Sequence, residues 1–376
     1  MKKLLKSMGI GILTIGLLSV PAAYAFGSTS HSKLTGSNEE RVHQYMNDFA
    51  KEEGFNGSVL VLYKGKVLID KSYGLADREN KTPFSNDTLF PIGSITKPIT
   101  ATAIMQLEEQ EKLSATDTLS SYFPDFPNGE NITIHQLLNH SSGLADIYES
   151  KEIRKNYTKA HSDEQVIASF KDEELLSKPG EKYAYISSDY YLLGKIIEKV
   201  SGETYQSYVQ KNIFNKANMK NTFVMNEENQ TTLKVKGYEG GKYVENLHPS
   251  LGFANGNIAS TKEDIAKFVQ ALDRNQLLGE KQKHKMTSQT IKVSLMGVYY
   301  GCGWYSTNNF YSFNERQIAH GGSMPGLRSG LIHYPDKELT ILFFSNDGEA
   351  WNYAKPSNEI ASIIFNKRFW FIHSLN

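Results

Sequence analysis

The chain has 376 residues, room for two ordinary domains or one large one, and 41 basic side chains balance 41 acidic ones. That balance leaves no global electrostatic footprint for nucleic acid, while 11% aromatic and 22% charged residues suit a buried core rather than disorder. The one cysteine, Cys302, excludes an internal disulfide and thiolate zinc sites. Residues 1–25 carry the three-part pattern of an export signal: Lys2, Lys3 and Lys6, an apolar run over 8–20, then Ala23-Tyr24-Ala25 as a small-x-small cleavage site. The run is short for a spanning helix, which needs about 20 residues. Left uncleaved, it would anchor the protein in a membrane. No cysteine follows it, so lipid attachment there is excluded. Residues 26–37 read as a polar linker and 38–376 as one folded domain.

Ser37 and Glu40 make a capping box. Val42, Tyr45, Met46 and Phe49 follow at helical spacing, and Gly54 stops the helix. Strands are predicted over 58–63 and 66–73, turning at Lys64-Gly65. A helix opens at Ser94 and runs through Ile99, Ala103, Ile104 and Leu107. From 113 to about 250 the chain is mostly helix and loop. Its clearest helix, 188–200, is apolar on most faces and hence buried, with Gly202 beyond it. Ser260 and Glu263 cap a further helix. Strands return over 303–306, 317–320, 330–334 and 338–344, the last two joined at Pro335-Asp336-Lys337. A terminal helix covers 357–369. Strands at both ends around a helical middle predict an α+β fold, an α/β sandwich. Its antiparallel sheet is formed by both chain ends and flanked by helices, with an inserted, mostly helical subdomain at roughly 113–250.

Several chemistries have no motif here. There is no His-Glu-x-x-His, Cys-x-x-Cys, Gly-x-x-x-x-Gly-Lys or Gly-x-Ser-x-Gly, so no metal or other cofactor is implied. Ser-x-x-Lys occurs at Ser30/Lys33, inside the linker, and at Ser94/Lys97. Ser94 follows an apolar approach and opens an amphipathic helix, where unpaired N–H groups and the helix dipole favour negative charge on a hydroxyl. Lys97, three residues on, shares that face. A lysine held out of water can lose its proton and accept another. An ordinary N-cap serine beside a solvated lysine has the same spacing. Tyr185-Ile186-Ser187 precedes the buried helix. A phenol beside a lysine can be lowered in pKa and act as a base, and a core tyrosine fits the position too. His320-Gly321-Gly322-Ser323 ends a strand. Its glycines would let a substrate lie against the strand edge, and the Ser323 N–H would pair with that of Ser94 as an oxyanion hole. A glycine turn with a surface histidine is the plain alternative.

The ordered set Phe90-Pro91-Ile92-Gly93-Ser94-Ile95-Thr96-Lys97, Tyr185-Ile186-Ser187 before Tyr190-Tyr191-Leu192-Leu193-Gly194, and His320-Gly321-Gly322 resembles the serine β-lactamase and penicillin-binding protein superfamily. Within it, the resemblance is to the class C β-lactamase-related branch, with its D,D-carboxypeptidases, D-aminopeptidases and esterases. Leu137-Leu138-Asn139-His140-Ser141-Ser142-Gly143-Leu144, Gly256-Asn257-Ile258-Ala259-Ser260-Thr261 and Tyr300-Gly301-Cys302-Gly303-Trp304 resemble further segments of that branch. The resemblance spans about 41–365. It implies Ser94 as acylated nucleophile, Lys97 as its activating partner and Tyr185, rather than Tyr183, as general base. Ser187 and His320 fill substrate-binding positions. The chain departs from many relatives in having His-Gly-Gly for Lys-Thr-Gly and Ser187 for asparagine. Histidine is mostly neutral at pH 7, so carboxylate recognition is weakened unless Arg328 supplies the charge. The implied activity is an exported serine acyl-hydrolase acting on D-amino-acid amides or esters of peptidoglycan or other cell-wall material, with β-lactams as acylating ligands. A D-alanyl esterase of wall polymers, or a penicillin-binding module with slow or no turnover, are the alternatives. No heptad seam is present, so a monomer is expected.

Overall fold

The computed structural model describes residues 34–348 and 353–367. The expected export signal and the Ser30/Lys33 pair lie outside them. Eight strands form an antiparallel sheet: β1 (Gly57–Tyr63), β2 (Lys66–Tyr73), β3 (Ile291–Ser294), β4 (Val298–Tyr300), β5 (Tyr305–Thr307), β6 (Gln317–Met324), β7 (Leu327–Tyr334) and β8 (Leu339–Ser345). Their order is β3-β4-β5-β6-β7-β8-β1-β2, so strands from the two ends of the chain meet at the β8–β1 pair. Lys64 and Gly65 both take positive φ, 51° and 75°, as a two-residue hairpin with native twist requires.

Period-two alternation sorts the core into two layers. Val59, Val61, Ile341 and Phe343 face α1 (Asn38–Glu52) and α6 (Ala354–Phe365). Leu60, Leu342 and Phe344 face the larger cluster, built on α2 (Thr96–Glu109), α3 (Ser187–Ser201), α4 (Pro249–Gly256) and α5 (Lys262–Asp273). The capping box at Ser37 fixes the start of α1, and Val42 and Met46 are fully buried, each stabilising by about 2 kcal/mol. Among the described residues, no helix is long and apolar enough to cross a membrane.

Local departures from the sequence expectations have physical causes. Ser94 sits in a 3-10 turn, Gly93–Ile95, and the α-helix proper starts at Thr96. Thr261, not Ser260, caps α5: its hydroxyl accepts the Asp264 amide, while Ser260 belongs to a short strand and bonds Thr222. The 317–320 strand continues to Met324 because β7 pairs with it throughout. The β3–β4 hairpin was not expected. Lys292, Ser294 and Gly297 interrupt its apolar pattern, and it is held by pairing to β5 rather than by a core face of its own. The terminal helix begins earlier than predicted and ends at Phe365, with Asn366 left-handed at φ 51°. Residues 366 and 367, expected to continue it, are not helical, and 368 and 369 lie outside the described residues.

Candidate active site

The turn that carries Ser94 is fastened to the sheet. Ser329 Oγ donates to the Ile92 carbonyl at 2.8 Å, and the Ile92 amide donates to Ile258 O at 2.9 Å. Gly93 has φ 53°, and a Cβ there would stand 2.9 Å from the Ser323 amide nitrogen. The Ser323 backbone therefore lies directly against the turn bearing Ser94. The glycines of β6 are required by packing on both sheet faces. A Cβ on Gly322 would overlap the Ile92 carbonyl oxygen, and one on Gly321 would overlap the Tyr353 ring on the opposite face.

Lys97 is fully buried on α2. Its Nζ donates to Ser94 Oγ at 3.1 Å and to the Asn255 carbonyl at 2.8 Å, and lies 4.7 Å from the centre of the Tyr185 ring. The Asn255 carbonyl is free to accept because α4 ends at Gly256, which leaves its last carbonyls without intrahelical partners; just before them the helix kinks at Phe253, whose φ of 28° is rare for a non-glycine residue. The Ala254 carbonyl, in the same last turn, accepts from Thr100 Oγ1 at 2.7 Å. Phe253 is wedged between Tyr191 and Tyr205 and against Gly194, where any side chain would collide with it. Burial pulls the Lys97 amine down to about 7, against the opposing pull of Asp146 and Asp189.

Tyr185, not Tyr183, has its phenol beside the Ser94 hydroxyl. Tyr183 pairs instead with the Tyr305 hydroxyl at 2.8 Å. The expectation of a lowered phenol pKa is overturned. Burial, with Tyr305 nearby, drives Tyr185 well above 10, and the neighbouring Ser94 hydroxyl does not reverse that. Ser187 starts α3 with its amide on Asp146 Oδ2 at 2.7 Å. His320 is 1% exposed, and its nitrogens are engaged within the fold: Nδ1–H donates to Gly321 O at 2.7 Å, and Nε2 accepts from the Tyr300 hydroxyl at 3.0 Å. Burial, then Lys97, holds it down at about 3, so it is neutral. Arg328 pairs in register with Ser323, on the sheet face of Gly321 and Gly330 over which Tyr353 lies. Its Nη1 donates to Met324 O and Leu327 O, so it does not supply a cation on the His320 face.

Ser94, Lys97 and Tyr185 thus share one site, beside the Ser323 backbone. Four contributors carried no assigned role in the sequence: Asn255, Asp146, His140 and Asp189. Asn255 acts through its carbonyl, which no side-chain pattern reports. His140 stood in a segment already singled out, and Asp189 two residues beyond Ser187. Among the described residues, no three His, Cys, Asp or Glu side chains gather as a metal site.

A family model, Beta-lactamase, matches residues 42–361. The chain is 30% identical over 341 residues to the putative penicillin-binding protein PbpX of Bacillus subtilis, spanning 88% of this chain and 82% of that protein. It is 30% identical over 336 residues to penicillin-binding protein 4* of the same organism, spanning 84% of this chain and 73% of that protein. Among solved structures, the octameric penicillin-binding protein homologue from Pyrococcus abyssi matches with a TM-score of 0.78 and 28% identity, over 89% of this chain and 79% of that one.

Proposed function

From the premise that this chain belongs to the Beta-lactamase family and is a serine hydrolase of β-lactamase and penicillin-binding type, we propose that it hydrolyses D-amino-acid amides or esters of cell-wall material through an acyl-enzyme on Ser94. The carrying observation is the 3.1 Å contact between Ser94 Oγ and the Nζ of a lysine fully removed from water. At neutral pH part of the Lys97 population is uncharged and can take the serine proton as Oγ attacks the carbonyl carbon. The backbone N–H groups of Ser94 and Ser323 would hold the oxyanion. Tyr185, kept protonated by burial, would give its proton to the departing amine or alkoxide, and Lys97 would return one to it. With Lys97 neutral again, the water that releases the acyl group would pass its proton through the Tyr185 hydroxyl to Lys97 as it attacks, and Ser94 Oγ would take a proton back as it leaves.

A specific observation favours substrates without a free carboxylate at the third-motif position. His320 is neutral with its nitrogens already engaged, and Arg328 lies on the other sheet face. Esters, including D-alanyl esters of wall polymers, and D-amino-acid amides therefore fit better than peptides ending in D-alanine. A persistent penicilloyl-enzyme is the outcome if water reaches Ser94 poorly. A fluorescent penicillin is expected to label the protein, and equal labelling of Ser94→Ala would end the assignment. A panel of p-nitrophenyl esters, D-amino-acid amides, D-alanyl-D-alanine peptides and a chromogenic cephalosporin is expected to rank the first two highest in kcat/KM. Turnover of the cephalosporin alone would overturn the preference. The octamer belongs to the Pyrococcus abyssi protein, and a monomer is proposed for this chain, to be weighed by light scattering.

A further inference from the structure

We propose that His140, braced by Asp189, is a positioning residue that sets the Tyr185 phenol against Ser94. The inference rests on the part given to Tyr185 above and on a clamp of three attachments. The His140 carbonyl accepts the Ala184 amide at 2.9 Å. Its Nδ1 lies 3.2 Å from the Ile186 amide nitrogen, which donates to it. Its ring packs on the Tyr185 ring with centroids 4.4 Å apart. One residue thus grips the backbone on both sides of Tyr185 and the phenol ring between them. To do so His140 takes a left-handed backbone, φ 58°, which is uncommon for a residue with a side chain.

The clamp is anchored to α3. His140 Nδ1 is also 3.0 Å from Asp189 Oδ2, and Ser142 Oγ donates to Asp189 Oδ1 at 2.5 Å. The Ile186 N–H can only donate, so it needs the lone pair of Nδ1, and Nδ1 carries no hydrogen. The hydrogen between His140 and Asp189 then belongs to the carboxyl, the one Nδ1 lone pair is shared between it and the Ile186 N–H, and the ring hydrogen sits on Nε2, which is buried without a hydrogen-bond partner among the described residues. Both residues are fully buried, which favours this uncharged arrangement: burial raises Asp189 well above its ordinary value and lowers His140 well below its own. The pair is a neutral post running from α3 through an imidazole to the 184–186 segment. Misplacing a reacting group by about 1 Å costs on the order of 10²-fold in rate, so a post of this kind matters to turnover without touching substrate.

Two measurements separate the clamp from the part given to Tyr185. In a Ser94→Ala background, hydrogen exchange at the Ala184 and Ile186 amides is expected to quicken at least about tenfold on His140→Ala, with β8 amides unchanged. Unchanged exchange at Ile186 would overturn the clamp whatever Tyr185 does. On a p-nitrophenyl ester, His140→Ala is expected to lower kcat about 10²-fold with KM within about twofold, and to cost nothing further in a Tyr185→Phe background. An equal loss in that background would overturn the route through Tyr185. His140→Asn, whose side chain tolerates positive φ and can accept the Ile186 amide, is expected to recover part of the loss; recovery no better than alanine counts against the hydrogen bond. Asp189→Asn, which keeps a donor towards Nδ1, is expected to be at least about tenfold more active than Asp189→Ala. Equal loss in both would overturn the neutral pair. Tyr185→Phe turning over at the normal rate would instead remove the phenol from the mechanism, while the exchange result still decides the clamp.

Discussion

Lys97 binds its proton less tightly in the fold than in the unfolded chain, about 7 against the ordinary 10.5. Between those values the unfolded chain holds more protons, so stability contributed by this residue rises with pH there. Below about pH 7 the cost of burying the ammonium is complete, and it fades towards pH 10.5. Lys97→Met is therefore expected to melt several degrees above the parent near pH 6, with the gap closing near pH 10; thermal melts with the same gap at both pH values would refute a buried amine of this kind. The same variant should lose about 10²- to 10⁴-fold in kcat/KM. In the parent, kcat/KM should climb as pH rises through about 7, when the amine becomes able to accept the Ser94 proton; a profile flat from pH 5 to 9 would move the proton elsewhere.

At the scale of elements, the site depends on how closely β6 approaches the Gly93–Ile95 turn. Gly322→Ala would push on the Ile92 carbonyl and displace that turn, lowering kcat by about 10²-fold, whereas Gly321→Ala would press on Tyr353 and fall chiefly on Tm. Kinetics and melts of the two variants side by side test this; indistinguishable effects would sink it. The first helix and hairpin were legible in the sequence because their signals are local: a capping box, an apolar stripe and a two-residue turn. The Ser94 and Tyr185 segments were legible because side-chain chemistry marks them. The β3–β4 hairpin was not, since its pairing partner β5 decides it, and neither was Asn255, whose contribution is a backbone carbonyl left open where α4 ends. The direction of the Tyr185 shift was misread because the family resemblance implies proximity to Lys97, whereas desolvation leaves no mark in sequence.

For the molecule as a whole, the sheet separates two layers. The Ser94 site lies on the face covered by α2, α3 and α4, and the other face is covered by α1 and α6. If residues 1–25 act as a cleaved export signal, protein recovered from outside the producing cell should begin at Phe26, read by N-terminal sequencing; a start at Met1 would favour the anchored form. The α1 and α6 layer has a consequence of its own. Asn38 Nδ2 donates to the Ile364 carbonyl at 3.4 Å, so the outer ends of the two helices lie side by side behind the sheet. A short linker could splice them, and the chain could be reopened at the exposed Lys64–Gly65 turn, giving a circular permutant in which every sheet neighbour is kept and no new terminus falls beside Ser94.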